Sequence, residues 1–175
     1  MSDPADLSAA ALVDLYRTRR LSPVEAVEAV IRRHAAVEPK VNAFVVFDAE
    51  HALQSARASE ARWQRGEALG RLDGVPVSIK DLNVAKGWPT RRGSHTSSAR
   101  IETEDAPLPA RLREGGAVLL GKTTTSEYGW KGTGDSPLTG STRNPWSLAH
   151  TTGGSSAGAA AAVVTGMGPL ASGGD

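Results

Sequence analysis

Cysteine is missing from all 175 residues, which removes disulfide cross-links, thiolate catalysis and cysteine-ligated zinc together. Histidine is scarce. None of His34, His51, His95 and His150 is paired with another ligand at a recognisable zinc spacing, so no metal site is expected. His34 and His51 fall on predicted surface helices, where solvent exposure is expected. Charge of one sign is lacking too: 20 basic residues face 19 acidic ones, a net charge of +1 with no footprint for nucleic acid. Long apolar runs are absent. The longest, Ala159–Val164, is far too short to span a bilayer. Residues 1–20 carry Asp3, Asp6 and Asp14 and show no apolar signal region. A soluble cytoplasmic protein with no nucleic-acid or membrane partner is the plain expectation.

What is present points to a folded α/β protein. Hydrophobic residues make up 39%, which argues against global disorder. After Ser8, the residues Leu12, Leu15 and Tyr16 recur at helical spacing. Ser22-Pro23-Val24-Glu25 spells a capping box with proline at the first helical position, and Pro39 is expected to end the helix it opens. Val41–Phe47 reads as a strand or extended link, and Asp48 caps a third helix running to about Trp63.

The pattern changes near Gly70. Val75, Val77 and Ile79 alternate with Pro76, Ser78 and Lys80 at the period of a strand. Residues 83–106 read as loop, Pro107–Glu114 as a short helix and Ala117–Leu120 as a buried strand. Gly132–Thr152 is rich in Gly, Ser, Thr and Pro and reads as a long ordered loop. A small-residue helix over Ser155–Val164 and a strand over Pro169–Ser172 close the pattern. The fold class is α/β, with residues 1–69 a helical region and 70–175 the start of an α/β core. The strands near residues 77, 118 and 171 are too few for a complete sheet, so the chain is read as the amino-terminal portion of a longer protein.

Two motif spellings fail on context. Gly116-Ala-Val-Leu-Leu-Gly121-Lys122-Thr123 fits the phosphate-binding G-x-x-x-x-G-K-[ST] pattern, but its four middle residues are themselves the apolar strand, not a turn. Gly154-Ser155-Ser156-Ala157-Gly158 fits the nucleophile-elbow spelling, yet a loop precedes it where that turn needs a strand. Two features keep functional readings. Lys80 is delivered by an apolar strand into a loop, although a lone strand-end lysine is usually just solvated. The Gly153–Gly158 run allows close backbone approach at a helix start, and its plain alternative is a simple serine cap.

Together the strings LDGVPVSIKDL (72–82), GAVLLGKTTTSEYGW (116–130), DSPLTGSTRNPW (135–146) and GGSSAGAAAAVVTG (153–166) resemble the amidase-signature family, in that family's order and spacing. The resemblance implies a mixed sheet covered by helices on both faces and preceded by amino-terminal helices. It also implies hydrolysis of a small-molecule amide through a serine acyl-enzyme, with no cofactor and with a homodimer as an allowed assembly. By motif position Lys80 is the base and Ser155, after a cis peptide bond, the bridging serine. Ser156 and Asp175 would orient them, and the nucleophile would fall at position 179, four residues beyond Asp175. Backbone amides just before it would form the oxyanion hole. Tyr128, Gly129 and Trp130 would line the substrate's approach. Ala157 stands where the family usually has glycine, a change that spares both catalytic side chains. Lysine accepts a proton only when neutral, and burial favours its neutral form. The loop Gly132-Thr133-Gly134-Asp135-Ser136 departs from the S-T-E-N-S run of the glutaminase component of tRNA-dependent amidotransferases. A free-standing amidase is therefore favoured, with that glutaminase component or a non-catalytic fragment as the alternatives.

Overall fold

Three polar caps start the three long helices of the computed structural model, which describes residues 3–174. Ser8 accepts the Ala11 amide at 3.2 Å and opens α1 (Ala9–Arg17). Ser22 and Glu25 form the reciprocal capping box of α2 (Pro23–Val41), and Asp48 accepts the His51 amide at the head of α3 (Ala49–Arg65).

Pro39 does not end α2. It lies in the last turn, and the helix continues past it to Val41. Termination belongs to Asn42 and Glu38 instead. Asn42 turns left-handed at φ 54° and donates its amide to the Glu38 carbonyl at 2.9 Å. The Glu38 carboxylate then accepts the Ala43 and Phe44 amides at 3.0 and 2.9 Å, feeding the chain into β1 (Phe44–Phe47).

The main sheet is mixed. It adds β2 (Pro76–Lys80), β3 (Val118–Thr123) and β8 (Leu170–Ala171) in the order β1-β3-β2-β8, with β2 parallel to β3 and β8 and β1 antiparallel to β3. Between them lie α4 (Pro107–Glu114) and α5 (Ala157–Val164). Apolar alternation builds a core on each face. Val118 and Leu120 pack with residues of α2, α3 and α5, while Leu119, Val77 and Ile79 pack with Trp88 and with Val13 of α1 and Leu112 of α4. Helices thus cover both faces, as the family resemblance implies.

The stretch expected to be one long loop contains two hairpins. β4 (Asp135–Ser136) pairs with β5 (Gly140–Ser141), and β6 (Arg143–Asn144) pairs with β7 (Ser147–Thr151). These strands expose most of their residues, so they carry none of the apolar alternation by which a buried strand is read. Ser136 accepting the Thr139 amide and Asn144 accepting the Trp146 amide fix the turns locally.

His34 and His51 are half-buried, contrary to the expectation of exposure. His34 stacks on Phe47 with ring centroids 3.7 Å apart, and His51 meets Arg113 at 3.1 Å and the Trp88 ring edge-on. Burial lowers the pKa of both, and for His51 the Arg113 charge adds to the effect. A depressed folded pKa means that the unfolded chain takes up the proton first. Stability is therefore complete above the unfolded value of about 6.5 and declines as pH falls below it. Urea midpoints measured from about pH 7.5 to 5.5 are expected to drop, and His34→Gln/His51→Gln to flatten that drop. An unchanged pH dependence in the double variant would contradict the assignment.

Candidate active site

Alternation along β2 turns Val77 and Ile79 into one core and sends Lys80 toward the start of α5. Its backbone is fixed on both sides: it pairs with Thr123 of β3, and its amide donates to Ser172 Oγ at 2.8 Å. Only 1% of the Lys80 surface is exposed. Its Nζ donates to Ser155 Oγ at 2.6 Å, to Ser156 Oγ at 2.9 Å and to the Gly174 carbonyl at 3.1 Å. The solvated strand-end lysine is thereby excluded, and the amine is held among hydroxyls and a carbonyl.

The Gly153–Ser156 segment supplies those hydroxyls. The Gly154–Ser155 peptide bond is cis. Gly154 lies so close to the Thr133 carbonyl that a side chain there would collide with it, and the Ser155 carbonyl accepts the Ser126 amide at 3.3 Å. Ser156 sits at the N-cap position of α5 but makes no side-chain cap bond. Its hydroxyl instead takes the Lys80 donor and exchanges hydrogen bonds with Gly174, 3.1 Å to the carbonyl and 3.2 Å from the amide. The simple-cap reading of the serine run fails on that observation. Asp175 lies outside the described residues.

The three residues expected at the substrate's approach separate in role. Gly129 borders the site, since a Cβ built on it would lie 3.7 Å from Ser155 Oγ and press on Leu82. Tyr128 is half exposed, takes a left-handed φ of 50° and shares a 2.7 Å hydrogen bond between its hydroxyl and Thr96. Trp130 is 91% exposed. With Glu127 and Lys131, Tyr128 and Trp130 line an open cavity of about 400 Å³.

Residues 118–123 of the phosphate-loop spelling are strand β3, so their backbone serves the sheet and forms no anion cradle. Among the described residues no group of three or more His, Asp or Glu side chains is arranged to hold a metal ion. Sequence reasoning missed Ser126 and Ser172, which hold Ser155 and Lys80 by single hydrogen bonds. It also missed Asp81 and Lys122, which the sequence shows only as a charged residue after Lys80 and a charged residue after the apolar run of β3.

The family model described as Amidase matches residues 25–175. The chain belongs to the amidase family. It is 45% identical to an acylamidase of Rhodococcus erythropolis over 169 residues, 97% of this chain and 35% of that protein. It is 42% identical over all 175 residues to a component of the glutamyl-tRNA(Gln) amidotransferase of Acidothermus cellulolyticus, again 35% of that protein. Among solved structures, the peptide amidase of Stenotrophomonas maltophilia superposes with a TM-score of 0.87 at 32% identity, covering 94% of this chain and 35% of that one. The chain thus spans about a third of the length of these amidase relatives. No helix among the described residues is long and apolar enough to cross a membrane.

Proposed function

We propose that this chain carries the base half of an amidase site that cleaves a carboxylic amide through a serine acyl-enzyme. One observation supports the reading above others: a buried lysine amine 2.6 Å from the hydroxyl of a serine 75 residues away. In the proposed cycle Lys80, in its neutral form, takes a proton from Ser155, and Ser155 takes one from the serine expected at position 179. That serine attacks the amide carbonyl. The carbon–nitrogen bond breaks as the proton returns through Ser155 to the departing nitrogen, which leaves as ammonia or an amine. Water, activated by the same relay, then cleaves the acyl ester and releases the acid. Backbone amides before position 179 would stabilise the oxyanion. Ser156 orients Lys80 and Gly174, and Asp175 is assigned to the same task.

A second reading has its own support. The amidotransferase relative matches every residue of this chain at 42% identity, close to the acylamidase value of 45%. Ammonia and acid release from aryl, short-chain and peptide amides, and from glutamine with and without amidotransferase partners and charged tRNA, separates the two. Hydrolysis of simple amides by the protein alone is the expected result. Glutamine hydrolysis that appears only with partners would transfer the assignment to the glutaminase component of such a complex.

A further inference from the structure

Lys122 and Asp81 have no part in the chemistry above, yet they form an ion pair with neither side chain exposed, Nζ to Oδ1 at 3.0 Å. Burying two charges is costly, and apolar residues of similar volume often serve stability as well or better. What the pair holds is therefore informative. Asp81 directly follows Lys80, and its amide donates to the Thr123 carbonyl at 3.1 Å. Asp81 Oδ1 also accepts the Arg91 amide at 3.3 Å. Lys122 Nζ donates to Thr90 Oγ1 at 3.2 Å and to the Pro89 carbonyl at 3.4 Å. Three consecutive loop residues are thus bound to the ends of β2 and β3, by contacts that no apolar pair could make. The next residue, Arg92, is left-handed at φ 51°, and its carbonyl accepts the Tyr128 amide at 2.8 Å. Tyr128 leads directly into Gly129, the residue that borders Ser155.

From this run of contacts we infer that Asp81 and Lys122 are positioning residues, which fix the 89–92 segment and through the Arg92 carbonyl set the Tyr128–Trp130 wall beside Ser155. The inference deepens the amidase reading and rests on it for its catalytic consequence. The pair governs how a substrate is held along the Tyr128–Trp130 wall, while proton transfer stays with Lys80 and Ser155.

The test uses the protein carrying its full chain and the variant Asp81→Asn/Lys122→Met, which removes both charges with little change in volume. Arg62→Met/Asp73→Asn, which neutralises the buried pair at the opposite end of β2, is the comparator. Hydrogen exchange at the Tyr128 amide is expected to quicken at least about tenfold in the first variant alone. KM for an amide is expected to rise about tenfold, with kcat within about threefold of the parent. Unchanged Tyr128 exchange, or equal acceleration in both variants, would overturn the inference. Should the parent hydrolyse no amide, the amidase reading fails, and the exchange result still decides the positioning claim. If the double variant does not fold, Asp81→Asn alone is read by the same exchange measurement.

Discussion

Replacing Lys80 with methionine is expected to lower amide hydrolysis by at least about a thousandfold in the protein carrying its full chain, without unfolding it. Methionine fills much the same volume, and β2 keeps its pairing with β3 and the Ser172 bond because both use the backbone. The variant loses the amine that reaches both Ser155 and Ser156. Lys80→Arg is expected to be equally inactive, because a guanidinium does not give up its proton in a protein. Steady-state rates, with circular dichroism as the check on folding, decide the matter. A folded Lys80→Met variant within about tenfold of the parent would exclude Lys80 as the base.

The second large effect concerns the fold. Asp73 has no exposed side-chain surface, and its carboxylate takes both prongs of the Arg62 guanidinium, at 2.9 and 2.6 Å, together with the Leu69 amide at 2.9 Å. Burial pushes the Asp73 carboxyl upward, but its hydrogen bonds and the Arg62 charge outweigh that and hold it below the usual range. Asp73→Ala leaves the mostly buried Arg62 without its counter-charge and strands the Leu69 amide. Breaking such a pair from one side costs about 3–5 kcal/mol. Arg62 keeps 20% of its side chain exposed and can recover some hydration, so the lower end, about 3 kcal/mol, is expected. Urea unfolding of parent and variant measures it, and a loss under about 1 kcal/mol would show that the pair is idle.

Much of this architecture was legible because its signals are local. Ser22 and Asp48 announce their helices by cap chemistry, Leu12, Leu15 and Tyr16 announce α1 by their spacing, and Val75, Val77 and Ile79 announce β2 by alternation. The failures share one cause, which is that their determinants are non-local. Pro39 looks like a stop until Glu38 is seen capping the chain after it. The β4–β7 hairpins are held by short polar turns and carry no apolar period. His34 and His51 read as exposed until Phe47 and Trp88 come to lie on them. At the site, residue patterns alone kept Lys80 as a candidate beside the usual solvated-lysine reading and gave the Gly153–Gly158 serines no more than an even claim against a plain cap. Only the family resemblance joined them, and the fold brings them to 2.6 Å. Asp81 and Lys122 escaped because a buried charge spells the same in sequence as an exposed one.

The central claim is that this buried lysine and serine serve acyl transfer. Intact-mass analysis of the protein carrying its full chain, quenched during turnover of an amide, tests it most directly. The account predicts an adduct of the acyl group's mass on one serine, at position 179, present in the parent and absent from Lys80→Met. Turnover with no adduct, an adduct on another residue, or one that forms equally fast without Lys80 would contradict it.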